Sequence, residues 1–157
     1  MWDIRCAECG DPIRVNSGHY TRHERAYHPS CYDRMRARHQ REHIIVVDGD
    51  TCRRELLAAL LRAHGHRVRE AHSPEEALWL LAERRAKLVV VDLRLPDAGA
   101  VALIQRVRAE IATKQVPIIA VAAAGAEETQ ARSALEVGAS MCCVEPLRWA
   151  SFETLVM

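Results

Sequence analysis

The sequence predicts an α/β protein: a five-stranded parallel sheet wound on both faces by helices, preceded by a small metal-binding module. Three observations carry this expectation. Two short β-branched runs, Ile44–Val47 and Leu88–Val91, are apolar without alternation, the pattern of strands buried on both faces. Both runs end in acid, Asp48 and Asp50 after the first and Asp92 after the second. Strand and helix patterns then alternate to the end of the 157-residue chain, as in a parallel sheet with crossover helices.

The first element, residues 1–33, carries Cys6-Ala-Glu-Cys9 and His28-Pro-Ser-Cys31, which together read C-x2-C-x18-H-x2-C. Two close pairs of thiol and imidazole donors suit tetrahedral Zn²⁺, with no ligand position left open for catalysis. Gly10 after the second cysteine suits a knuckle that requires positive φ. The segment holds few large apolar residues (Ile13, Val15, Tyr20, Tyr27), so a metal has to supply folding free energy. His19 and His23 are rival ligands that lack the x2 spacing. The pattern resembles the first zinc-binding half of a LIM domain or a related treble-clef module over about residues 6–32, with no second ligand set following.

Residues 34–42 read as a basic helical linker, with Arg34, Arg36, Arg38 and Arg41 and an i,i+4 pair Arg38–Glu42. Residues 43–157 form the main domain. After the first strand, Leu56, Leu57, Leu60 and Leu61 mark one helical stripe, closed by Gly65. His66–Ala71 alternates as a strand, and Ser73-Pro-Glu-Glu76 is a capping box opening a helix that buries Ala77, Leu78 and Leu81, with Trp79 off the stripe. Ala100, Leu103, Ile104, Val107 and Ile111 mark the third helix, and Val116–Val121 the fourth strand. A helix over Glu127–Val137, a buried strand over Ser140–Val144 with inert Cys142 and Cys143 thiols, and a last short helix from Arg148 complete the order. Cys52, His64, His66 and His72 show no ligand-like pairing.

With DLRLPD, VPIIAVAA and the G-A-x-x-x-x-V-x-P run at these intervals, residues 43–157 resemble the receiver domain of two-component response regulators. The resemblance implies a flavodoxin-like, doubly wound fold and a pocket at the carboxyl ends of the strands. In such receivers a strand-three aspartate is phosphorylated, with Mg²⁺ held by strand-one acids. A strand-four hydroxyl and a strand-five lysine then contact the phosphoryl group. Matched residue by residue, Asp92 takes the acceptor position and Asp48 the first acid, while Gly49 stands for the second acid and Asp50 is displaced by one. The hydroxyl position is Ala122, the aromatic switch position Cys142 and the lysine position Glu145.

These losses have a physical direction. Glu145 inverts the sign of the lysine beside Asp92, and a like-charge contact at about 4 Å costs on the order of 4 kcal/mol at an effective dielectric near 20. Crowding of Asp48, Asp50, Asp92 and Glu145 is expected to perturb their ionisation or to hold a cation such as Mg²⁺, together with the Arg94 carbonyl. The expected function is therefore non-enzymatic: an atypical pseudo-receiver that works by protein contact with a sensor kinase or another signalling protein. Two alternatives stand beside it, a phosphoacceptor receiver using Asp92 with Mg²⁺ and a nucleic-acid-binding regulator using the finger and the basic linker.

Composition fits this class. A formal net charge of +1 gives no bulk field toward nucleic acid or membrane. The longest apolar stretch, Val116–Ala126, is too short to span a bilayer, and the start Met1-Trp-Asp-Ile-Arg-Cys lacks the core of a signal peptide. A cytoplasmic protein is expected, in which paired cysteines are metal ligands rather than disulfides. Trp149, Phe152, Leu155, Val156 and Met157 make the last helix apolar for its length, a candidate homodimer face.

Overall fold

The computed structural model describes residues 4–14, 18–22, 25–41, 43–83, 85–126 and 128–156. Val15, His23, Glu42 and Met157 lie outside the described residues, and so does the Arg38–Glu42 pair. The chain divides into two compact units, Met1–Arg41 and Glu42–Met157.

In the first unit β1 (Tyr20–Arg22) pairs antiparallel with β2 (Arg25–Tyr27), and α1 runs Pro29–Arg41. Pro29 opens the helix where a missing N–H costs nothing. The helix therefore begins before Tyr32 and carries Cys31 in its first turn; the basic linker is its continuation. The small core is Cys6, Ile13, Tyr27, Cys31 and Met35, so two of its five members are thiols. That is little apolar burial for an independent fold.

The second unit holds β3 (His43–Val47), β4 (Val68–Ala71), β5 (Ala86–Asp92), β6 (Ile118–Ala122) and β7 (Met141–Val144), in sheet order β4-β3-β5-β6-β7. Every pairing is parallel. Between and after them run α2 (Thr51–Ala63), α3 (Pro74–Glu83), α4 (Gly99–Ala109), α5 (Glu128–Glu136) and α6 (Trp149–Val156). Strand periodicity of two splits the core across the sheet. Ile45, Val47, Val89 and Val91 pack with Leu80, Leu103 and Ile104, whereas Ile44, Val46, Leu88 and Val90 pack with Leu61, Phe152 and Val156. The chain leaves β3 for β4 on one side and returns to β5 on the other. Asp48 and Asp92 thus stand at the switch point where doubly wound sheets bind ligands.

Several expected details shift. On α2 only Ala58 and Leu61 are buried, because the inward face is centred on them; Leu56 and Leu60 are 64% and 39% exposed. On α3 the buried residues are Ala77, Leu80 and Leu81, with Leu78 half-buried and Trp79 exposed. Ile111 lies beyond the end of α4, in a turn, and is exposed. Glu76 does not close a reciprocal capping box. Its N–H donates to Ser73 Oγ (3.2 Å), but its carboxylate reaches past Ser73 to the His72 N–H (2.8 Å) and Nδ1 (2.5 Å).

The edge position of β7 corrects the buried fifth strand: Met141 and Val144 are exposed, and Cys142 and Cys143 are half-buried with thiols pushed up by that burial. The last helix is likewise not a free apolar face. Phe152 and Val156 are buried in the core, and Trp149 packs at a tilt against His64 and Phe152 while its Nε1–H donates to His64 Nε2 at 2.9 Å. That leaves Leu155 as the exposed large apolar residue of the helix among those described. No helix among the described residues is long and apolar enough to cross a membrane.

Candidate functional site

Register sets the main pocket. Val47 is opposite Val91, so the residues that follow, Asp48 and Asp92, emerge side by side at the carboxyl ends of β3 and β5, 6% and 4% exposed. Buried carboxylates must be paired or hydrogen-bonded. Each is, and the partner in both cases is an arginine side chain, where the sequence expectation had offered only the Arg94 carbonyl, as a cation ligand.

Asp48 Oδ1 accepts from the Asp50 N–H (2.8 Å) and from Arg53 Nη2 (2.9 Å), and Asp48 Oδ2 accepts from Arg53 Nε (3.1 Å). Asp92 Oδ1 accepts from the Arg94 N–H (2.7 Å) and Arg94 Nε (2.9 Å), and Arg94 Nη2 contacts Oδ2. The same guanidinium reaches Glu145 Oε2 through Nη1 at 2.8 Å. Arg53 Nε also lies 3.8 Å from Asp92 Oδ2. Bidentate forks of this kind are among the stronger charge-assisted contacts. Asp92 and Glu145 hold the Arg94 guanidinium charged well above its ordinary range, and the hydrogen bond to Asp48 raises that of Arg53.

The like-charge contact expected between Glu145 and Asp92 is therefore bridged, with Arg94 between them. Asp50 is also reassigned. It stands at the rim as the N-cap of α2, accepting the Arg53 N–H at 2.9 Å, with its second oxygen 3.6 Å from Arg53 Nη1. Ala122 is buried at the end of β6, Cys142 is half-buried on the edge strand, and Glu145 follows β7. In the loop after Asp92, Asp97 and Ala98 take positive φ of 56° and 53°, a conformation that glycine would adopt without strain.

The donor set does not suit Mg²⁺ as arranged. That ion demands near-octahedral oxygen ligation. Gly49 supplies no carboxylate, Asp48 and Asp92 are chelated by guanidinium, and Glu145 faces Arg94. Beside these groups a cavity of about 450 Å³ opens, walled by Leu56, Leu57, Leu60, Val121, Pro146 and Leu147.

The N-terminal unit gathers a second set. Donor atoms of Cys6, Cys9, His28 and Cys31 all lie within 4.8 Å of one another, the one such group of three or more His, Cys, Asp or Glu among the described residues. Cys9 Sγ and Cys31 Sγ stand 3.5 and 3.9 Å from His28 Nδ1, and His28 Nε2 lies 3.3 Å from the Pro12 carbonyl. An Nε2–H donated to that carbonyl leaves Nδ1 as the lone-pair donor, the arrangement a ligating histidine needs. Gly10, at φ 79°, turns the knuckle and donates its N–H to the Cys6 carbonyl at 2.9 Å.

Burial of Cys6 opposes its thiolate, but backbone hydrogen bonds from Cys9, His28 and Glu8 outweigh it and bring the thiol to about 6. At Cys9 the Asp11 backbone favours the thiolate, yet burial and the neighbouring thiols push it to about 11. Three thiols this close share too much negative charge to ionise together without a cation. The set fits Zn²⁺. His19 stands outside the cluster, and Arg34 Nη2 is engaged with Cys31 Sγ at 3.0 Å instead of free for phosphate.

Comparison with known proteins decides the affiliation of the larger unit. Residues 44–154 match the response regulator receiver domain family. The chain belongs to that family. It is 30% identical over 103 residues to the phosphate regulon transcriptional regulatory protein PhoB of Pseudomonas aeruginosa, covering 66% of this chain and 44% of that protein. It is 34% identical over 104 residues to the transcriptional regulatory protein ZraR of Salmonella typhimurium, covering 66% and 23%. The chain thus spans less than half the length of these relatives. A response regulator receiver protein from Pseudomonas putida superposes with a TM-score of 0.67 at 27% identity, covering 74% of this chain and 95% of that one. The receiver unit is a part of two-component signalling, with the flavodoxin-like fold of the family.

The cap at Asp50 makes a pH-dependent prediction. Its carboxyl is lowered first by the Arg53 backbone N–H, then by the Arg53 charge. A lowered folded value stabilises fully above the unfolded value near 4 and loses that contribution as pH falls through the folded value. Asp50→Ala should lower the melting temperature by a few degrees at neutral pH. The gap to wild type should shrink as the pH is lowered below about 4.

Proposed function

We propose that this chain is a pseudo-receiver: a regulatory protein that signals through protein contacts and does not depend on phosphorylation of Asp92. The observation that carries this is the pair of guanidiniums, Arg53 and Arg94, seated where a receiver needs a divalent cation and a lysine. Arg94 saturates the carboxylate that would have to act as nucleophile. Gly49 and Glu145 remove a metal ligand and reverse the charge that would steady a phosphoryl group. Ala122 has no hydroxyl with which to report one. The protein has no catalytic role in this proposal, and its partner is another signalling protein such as a sensor kinase.

The N-terminal unit holds one structural Zn²⁺ through Cys6, Cys9, His28 and Cys31. When bound, the metal supplies a fixed tetrahedral node and folding free energy, with no open position for substrate. His28 is oriented by Pro12, and the Arg34 guanidinium offsets the excess thiolate charge at Cys31.

Magnesium titration followed by amide resonances tests the receiver half. No saturable shift of Asp48, Asp92 or their neighbours up to roughly 10 mM Mg²⁺ is expected, since the ion would have to displace two forks and dehydrate. Saturable binding well below that concentration, centred on Asp48 and Asp92, would remove the proposal.

A further inference from the structure

The cavity beside the two forks has the makings of a ligand site. Its floor is β3, β5 and β6, one wall is α2, and the opposite rim is the β7–α6 loop at Pro146 and Leu147. At about 450 Å³ it falls within the range of pockets that enclose small organic molecules. The walls are leucine, valine and proline. Leu56 and Leu60, which helical spacing marks as core positions, instead stand 64% and 39% exposed at its mouth. Large apolar side chains left exposed around a concavity are the surface a ligand would cover.

Charge beside the cavity selects the ligand. Asp48, Asp92 and Glu145 line the cavity, and Arg53 and Arg94 answer them, with Arg53 shared as well by Asp50 outside the lining: four carboxylates against two guanidiniums. The balance is negative. Within the cavity the excess falls at Glu145, which shares Arg94 with the buried Asp92 and has no other ion-pair partner among the described residues. Glu145 is part-exposed at the rim, and a low-polarity wall strengthens the attraction it exerts.

We propose that this cavity binds a small organic monocation, an apolar body carrying one ammonium-type group, with the body against Leu56, Leu57 and Leu60 and the charge at Glu145. It rests on the pseudo-receiver proposal in one respect only: the ligand takes the place of phosphorylation as the input to the same pocket. Binding itself needs neither phosphate nor Mg²⁺, so its failure is distinguishable from a failure of that proposal.

Octylamine and octanoate, equal in length and opposite in charge at neutral pH, are the probes. Amide-resonance titrations of the full chain are expected to show saturable octylamine binding at α2 and the β7–α6 loop, at least ten-fold tighter than octanoate. Glu145→Gln should collapse that preference to within about two-fold. Leu56→Ser/Leu60→Ser changes exposed positions that the fold tolerates, and should weaken octylamine at least five-fold. Equal affinity for the two probes, binding by neither, or a preference that survives Glu145→Gln would overturn the proposal.

Discussion

Chelating the proposed zinc is expected to unfold the N-terminal unit and leave the receiver unit intact. Small modules of this kind gain an apparent 10–16 kcal/mol from structural zinc at neutral pH. The unit has little else to draw on, because two of the five residues in its core, Cys6 and Cys31, are themselves ligands. Chelation should return the resonances of Ile13, Tyr27 and Met35 to unfolded positions while those of β3 to β7 stay in place. Cys31→Ser should reproduce the effect without chelator. Elemental analysis of the untreated protein should find one zinc per chain. A native N-terminal unit in demonstrably metal-free protein would show that the four side chains cluster for another reason.

The second large effect is expected at Arg94. Breaking a buried ion pair by deleting one partner costs about 3–5 kcal/mol, since the charge left behind is neither solvated nor paired. The Asp92 side chain is 5% exposed and the Arg94 side chain 31%, so some water reaches the fork. Arg94→Met should accordingly destabilise the receiver unit by roughly 2–4 kcal/mol, measured by urea unfolding. Adding Asp92→Asn should restore a large part of the loss, because the amide carries no charge to strand. Additive losses in the double variant would mean that Arg94 stabilises the loop by packing and not through Asp92.

Much of this was legible in the chain. Unbroken apolar runs ending at Asp48 and Asp92 pointed to parallel strands and to the edge at which their carboxylates meet, because a run apolar on both faces needs helices on both sides of its sheet. The paired x2 spacings picked out the four side chains whose donor atoms cluster, since a two-residue gap lets neighbouring side chains converge on one point. Spacing alone did not reveal what fills the pocket. Arg53 and Arg94 act through side-chain direction, Arg53 from the first turn of α2 and Arg94 from two residues past Asp92. A signal was nevertheless present: Arg53 and Arg54 open a helix, where the macrodipole disfavours positive charge unless acids stand close by.

The other departures share a cause, which is that periodicity reports one face and not what covers it. Leu56 and Leu60 fit a helical stripe but flank a cavity, and Ile111 continues the α4 pattern after the helix has ended. Cys142 and Cys143 read as interior residues, yet β7 is an edge strand.

The most direct test of the pseudo-receiver is intact mass after incubation with acetyl phosphate and Mg²⁺, for wild type and Asp92→Asn side by side. The forks at Asp48 and Asp92 predict no phosphoryl adduct on either protein. A single adduct on wild type that is absent from Asp92→Asn would contradict this, showing that Arg94 yields the carboxylate and that the pocket still works as a receiver.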